Sequence, residues 1–385
     1  MKESFTDSGR LEAMIHRYPY FAALCGLTFL TASSLSAADL PDPDGKPADM
    51  TKPVKVFLIM GQSNTLEMGA VKGEKDGALE KAVKGENLYP FLVDDTGAWT
   101  MRKDVRNVSV MQKGDHMNVY RNDWLTISGN KIGIEIGIGH QLGNAIDEPV
   151  MILKSSIGNR SLGWDLLPPG SERFTYDFTD KTGKKTTKVV AGYKDKPDMW
   201  DADPAKGLAT EPPAEWLDKK GNPINWYAGK QYDDDIANAK KVLAELATYY
   251  PEATKYEVAG FIWWQGDKDR YNEAHASNYG KNLVNLIKAL RKEFNAPNAP
   301  FVLGTLGQTS KENAAGNDGK IFEAQMAVDD ASGKYPDFKG NVATVYTNPL
   351  SMGGASNGHY NGNGKTYMNV GLGLGEAMVK LIKAK

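Results

Sequence analysis

Cysteine is almost absent: the 385 residues include one, Cys25. A chain with a single cysteine holds no internal disulfide, and it has no C-x-x-C pair for zinc binding or thiol redox chemistry. Histidine is scarce, at five residues. No H-E-x-x-H run, EF-hand loop or Walker A loop occurs. No metal and no cofactor are therefore expected. An excess of one charge is also lacking, since 46 basic residues face 48 acidic ones. A net charge of −2 gives no electrostatic reason to expect nucleic acid or an anionic membrane as partner. Outside the first residues there is no long apolar run.

What is present is a globular composition, with 41% hydrophobic and 24% charged residues, in a chain long enough for one large domain or two small ones. The apolar run Tyr20–Leu35 carries no charge and ends at Ser36-Ala37-Ala38. A charged start, an apolar middle and a small-residue end have the order of a secretory signal over residues 1–38. The run is short for a membrane span, although an uncleaved anchor helix is the competing account. Met14 is an alternative start. The expected product is secreted or periplasmic, has no stable membrane insertion, and begins near Asp39. It contains no cysteine, so its nucleophile is not a thiol.

Short apolar runs at Val54–Met60, Pro149–Leu153, Val258–Trp264, Phe301–Leu306 and Val342–Tyr346 have the pattern of buried parallel strands. Helix-like periodicity lies between them at Ile136–Ile146, Asp235–Tyr249, Tyr279–Phe294 and Gly364–Lys383. This alternation predicts an α/β domain over residues 39–385 with a central parallel sheet. The stretch 168–233 breaks the alternation and is expected to hold little regular structure. It is rich in Trp and Tyr, which disordered segments lack, so it reads as an ordered insertion.

Four segments carry candidate chemistry. Gly61-Gln62-Ser63-Asn64 follows the first core strand, and ligands of open α/β sheets bind beyond the C-terminal strand ends. A serine in that turn is a candidate nucleophile, and its N–H a candidate oxyanion donor. The turn is not G-x-S-x-G, because Thr65 stands where the second glycine would be, and it comes too early in the chain for an α/β-hydrolase elbow. A helix-capping serine is the plainer alternative. Ser356-Asn357-Gly358-His359 precedes the last helix and supplies a candidate base, since a serine hydroxyl needs one at neutral pH. Trp263-Trp264-Gln265-Gly266-Asp267-Lys268-Asp269 and Lys154–Trp164 each follow a core strand.

Taken together, these blocks resemble the sialate O-acetylesterase and acetylxylan esterase group of the SGNH hydrolases, over about residues 54–385 without the insertion. The resemblance implies a flavodoxin-like three-layer α/β/α sandwich. It also implies a serine esterase that removes acetyl groups from carbohydrate through an acetyl-enzyme. On that resemblance Ser63 is the nucleophile and His359 the base. Ser63, Gly158 and Gln265 form the oxyanion hole. Asn64 braces the nucleophile turn, Asn159 contacts substrate and Trp164 walls the acetyl pocket. The chain departs from the family pattern at Asn159, where a second glycine is usual, and at Asp267, where glutamate is usual. At Ser356 it lacks the aspartate that orients the histidine. The partner of His359 is then Asp267, a backbone carbonyl or the Ser356 hydroxyl, or else the site is a Ser–His dyad. Two rival functions are a catalytically impaired carbohydrate-binding protein on the same fold and an esterase acting on non-sugar esters.

Overall fold

The computed structural model describes residues 40–384 except 42 and 74. The expected signal segment, residues 1–38, and Cys25 lie outside the described residues. In chain order the main strands are β1 Val54–Gly61, β2 Met101–Lys113, β3 His116–Thr126, β4 Val150–Ser155, β5 Phe174–Thr179, β6 Lys185–Val190, β7 Met199–Asp201, β8 Tyr256–Trp264, β9 Phe301–Gly304 and β10 Val342–Val345. The main helices are α1 Glu135–Ala145, α2 Lys230–Ala244, α3 Glu273–Glu293, α4 Gly316–Ala327 and α5 Gly364–Lys383.

Seven strands form one sheet in the order β10-β9-β8-β1-β4-β2-β3. All neighbours in it are parallel except β2 and β3, which pair as an antiparallel hairpin at the edge. Side chains alternate across a strand, and β1 shows the consequence. Val54, Val56, Leu58 and Met60 enter one core with residues of α2 and α3, while Phe57 and Ile59 enter a second core with residues of α1 and α5. Two apolar faces, each covered by helices, give the three-layer α/β/α sandwich. Burying each such side chain contributes about 1.5–3 kcal/mol. No described helix is long and apolar enough to cross a membrane.

The five expected strands are present as β1, β4, β8, β9 and β10, and the expected helices correspond to α1, α2, α3 and α5. The β2–β3 hairpin was not expected. It lies at the sheet edge, much of β3 is exposed, and the pairing shifts register twice, so neither a continuous apolar run nor a clean alternation marks it. The 168–233 stretch also needs correction. It carries the antiparallel sheet β5-β6-β7 over a small core of Leu167, Val189, Ala191, Trp200 and Ala228, and its last residues already belong to α2.

Candidate active site

The chain order places the reversal of the sheet at β1, with β4 on one side and β8 on the other. The C-terminal ends of these three neighbours lie side by side: Gly61 pairs with Trp264, and Ile59 pairs with Lys154. Such a switch point opens a crevice beyond the strand ends. The serine turn, the Gly158 loop and the 265–269 loop all leave from it.

Gly61 makes the serine turn possible. Its φ is +152°, and a Cβ there would sit 2.6 Å from the Trp264 carbonyl oxygen, which only glycine avoids. A short 3-10 turn then spans Ser63–Thr65. The N–H groups of Thr65 and Leu66 donate to the carbonyls of Gln62 and Ser63 at 2.9 and 3.0 Å. The Gln62 Oε1 accepts from the N–H groups of Gly266 and Lys268, both at 3.3 Å, and so ties the turn to the neighbouring loop. Ser63 is 8% exposed. A Cβ built on Gly158 would lie 3.4 Å from Ser63 Cβ, so the structure brings this pair together. Asn64 is fully enclosed, and neither atom of its amide has a hydrogen-bond partner among the described residues. A buried amide left unpaired is uncommon and marks a place for a ligand or water.

Gln265 is a correction to the expected oxyanion hole. Its Nε2 donates to the Arg160 carbonyl at 2.9 Å and to Asp269 Oδ2 at 2.5 Å, while Oε1 accepts from the Tyr279 hydroxyl at 3.0 Å. Both amide hydrogens are spent, so none remains for an oxyanion. Asp269 closes the same motif. Its fully buried carboxylate also accepts from the N–H groups of Leu162 and Gly163, at 2.8 and 2.7 Å, and clamps the Gly158 loop to the end of β8. Burial pushes this carboxyl up, opposed by the His275 charge and by these hydrogen bonds.

Trp164 is half-buried, meets Trp216 edge-on at 5.8 Å and packs against the insertion's small core. Asn159 is exposed and left-handed, with φ +58°, immediately after Gly158.

The other described histidines are occupied or remote. His140 is buried and its imidazole is pushed down to about 3 by burial and the Arg102 charge. His275 Nε2 is 2.9 Å from Asp198. His116 sits exposed beside Asp115 at the hairpin turn. His359 is half-buried in the segment Ser356–Gly362, and this segment packs against the serine turn. Among the described residues no hydrogen bond joins the His359 imidazole to Ser63 or Asp267. His359, Tyr360 and Asn361 all have φ near +50°, a conformation non-glycine residues seldom adopt. Tyr360 holds the segment in place. It is fully buried, stacked on Trp264 at 5.5 Å, and its hydroxyl accepts from the Gly307 N–H at 3.1 Å.

Ser356, where the resemblance implies an aspartate, is met by an acid from another loop. The Ser356 hydroxyl donates to Asp267 Oδ1 at 2.7 Å, and the same oxygen lies 2.9 Å from Arg270 Nε. That second contact is an ion pair by distance only, since the Nε–H is not aligned as a hydrogen bond. Arg270 also reaches Asp318 at 3.1 Å. The sequence places an acid at residue 267 and a serine at 356, and the fold puts that acid beside residue 356.

The family model described as carbohydrate esterase, sialic acid-specific acetylesterase, matches residues 217–380. The resemblance to that esterase group is borne out. The matched stretch contains Gln265, Asp267, Asp269, Ser356 and His359, while Ser63 and Gly158 precede it. A probable carbohydrate esterase of Arabidopsis thaliana is 32% identical over 72 residues, 19% of this chain and 26% of the relative. The match thus spans about a quarter of that curated relative. Among solved structures, an Arabidopsis thaliana protein aligns with 85% of this chain and 98% of its own at 15% identity, with a TM-score of 0.44. A carbohydrate acetylesterase from Xanthomonas citri aligns at 13% identity over 86% of this chain and 57% of its own, with a TM-score of 0.48. NanS aligns at 11% identity over 80% of each chain, with a TM-score of 0.39.

Proposed function

We propose that this chain is an exported serine esterase that removes O-acetyl groups from carbohydrates through an acetyl-enzyme. It acts within a single domain, residues 39–385, that carries the 168–233 insertion. The observation that carries this reading is the meeting of the Ser63 turn, Gly158 and the His359 segment at the strand ends. The family match to residues 217–380 supports the choice of acetyl and of carbohydrate.

In this mechanism His359 takes the Ser63 proton as the serine oxygen attacks the acetyl carbonyl. The N–H groups of Ser63 and Gly158 receive the developing oxyanion. Asn64, with an enclosed and unpartnered amide, takes the side-chain donor role that Gln265 cannot fill. The sugar oxygen leaves with the proton from His359. Water then attacks the acetyl-enzyme with His359 again as base, releasing acetate. Asp267 orients His359 from beside Ser356.

Acetate release from acetylated glycans by the wild type and by Ser63→Ala tests this reading. The variant should lose about 10⁴-fold or more in kcat, the scale of losing a nucleophile, and a serine-directed phosphonate should label Ser63 alone. Labelling at another serine overturns the assignment. No acetate release from any acetyl ester by the wild type favours the carbohydrate-binding alternative.

A further inference from the structure

Among the described large apolar side chains Tyr271 is the most exposed, at 63%, yet it is held in place. The guanidinium carbon of Arg270 lies 4.9 Å from the ring centre, and Arg270 Nη2 donates to the Tyr271 hydroxyl at 3.0 Å. Arg270 is itself fixed, by Asp318 at 3.1 Å and by Asp267 Oδ1, 2.9 Å from Nε. The main chain is pinned on both sides. Asn317 Nδ2 donates to the Arg270 carbonyl at 2.9 Å, and Asn272 caps α3 by accepting from the N–H groups of Ala274 and His275 at 3.0 and 3.3 Å. A lone exposed aromatic is ordinary. One that is braced through its hydroxyl and one ring face, with the other face left to water, is a preorganised contact surface.

This ring stands at the rim of the proposed site. The Lys268 N–H donates at 3.3 Å to Oε1 of Gln62, the residue directly before Ser63. Tyr271 is three residues further on, so its Cα is within about 11 Å of the Lys268 Cα. The Arg270 side chain intervenes between Asp267 and the ring, which puts the ring one layer outside the acid beside the His359 segment. An acetyl group bonded to Ser63, and the sugar ring that bears it, lie inside that layer. What reaches an aromatic face beyond it is the next ring of a glycan chain. The axial C–H groups of a pyranose are weakly positive and stack on the negative face of an aromatic ring, whereas a small ester has nothing to lay there.

We propose that Tyr271 is a stacking platform for a neighbouring sugar ring, so that the site takes acetyl groups from oligomeric or polymeric glycans in preference to single acetylated sugars. This inference rests on the esterase reading for the acetyl group, but the stacking contact stands apart from catalysis. It is indifferent to which sugar carries the acetyl group, because every pyranose offers a C–H face.

The test pairs substrates that differ in chain length. O-acetylated xylotetraose is set against O-acetylated methyl xyloside, and O-acetylated sialyllactose against the O-acetylated methyl sialoside, with a chromogenic acetyl ester as the control without a sugar. The wild type should favour the longer member of at least one pair by about 3- to 10-fold in kcat/KM, carried by KM, which is the scale of one stacking contact. Tyr271→Ala should bring that ratio close to unity and leave the chromogenic ester within about twofold of wild type. Tyr271→Trp should keep the ratio, because an aromatic face remains. A second arm measures calorimetric binding of the deacetylated pairs to the full chain, and needs no turnover. Length-selective binding that Tyr271→Ala abolishes upholds the inference even if no ester is hydrolysed, in which case the esterase reading alone fails. A wild type that handles both members of each pair alike in both arms, or takes neither, overturns it, as does a preference that survives in Tyr271→Ala. An equal loss on every substrate in Tyr271→Ala overturns it too, since Tyr271 then acts only by holding Arg270 against Asp267.

Discussion

Substituting Asp267 by asparagine isolates the charge that, in the proposed mechanism, stands in for the aspartate absent at residue 356. The carboxylate is 8% exposed, accepts the Ser356 hydroxyl at 2.7 Å and lies beside Arg270. Asparagine keeps the shape, and its Oδ1 can still receive the Ser356 hydroxyl, so the fold should persist. What is lost is a negative charge near the imidazolium that, in the proposed mechanism, forms as His359 takes the serine proton. Ser356 and His359 are three residues apart in the chain, which allows a separation of about 6 Å between the carboxylate and the imidazole. At that separation and an effective dielectric of about 20, a unit charge pair interacts by about 3 kcal/mol, or roughly a hundredfold in rate. Asp267→Asn should therefore lower kcat by about 10² with KM little changed, because the charge acts on the transition state rather than on bound substrate. Hydrolysis of a chromogenic acetyl ester, with thermal unfolding as a control, measures both. Adding Ser356→Asp to the variant should recover at least about tenfold by placing an acid directly on the histidine segment. A kcat within about threefold of wild type in Asp267→Asn would refute this reasoning and leave a Ser–His dyad as the better account.

Two further expectations follow from groups that the mechanism does not consume. Asp269→Asn replaces an acceptor of three hydrogen bonds with a group that must turn donors toward donors; it should cost about 1–3 kcal/mol in urea unfolding and reduce turnover by loosening the Gly158 loop, and an unchanged unfolding curve would refute the clamp. His275 tests the insertion's tether to α3. Burial lowers its pKa, but the hydrogen bond and charge of Asp198, with Asp269 and Asp165 beyond, outweigh that and leave it raised. A raised native value means that the contribution to stability is full below the ordinary histidine range and is lost as pH rises through the raised value. The stability gap between wild type and His275→Gln should therefore be larger near about pH 5.5 than near about pH 9, measured by urea unfolding at both; a gap that grows with pH would sink the argument.

Local order decides how much of this fold is written in the sequence. A parallel strand buried on both faces must be apolar nearly throughout, and Val54–Met60, Val258–Trp264 and Val342–Tyr346 each announce themselves in that way. The edge hairpin β2–β3 has no such constraint, because much of β3 faces solvent and its register shifts; only pairing with β4 makes it part of the sheet. The serine turn was legible for a similar local reason: a Gly-Gln-Ser-Asn run directly after a buried strand lies at the sheet's open edge whatever the rest of the chain does. His359 could be proposed from a loop position and from scarcity, and the structure shows why the other described histidines are poor alternatives. The partners of the polar side chains were not legible. Gln265 stands in its motif as a donor, yet its hydrogens go to Asp269 and to the carbonyl of Arg160, a residue 105 positions away. Ser356 reads as a lost acid, and only folding reveals that Asp267, 89 positions earlier, reaches it. Patterns of burial repeat along the chain and are written in it locally. Hydrogen-bond partners are chosen among groups that meet only when distant strand ends come together, and that choice belongs to the tertiary structure.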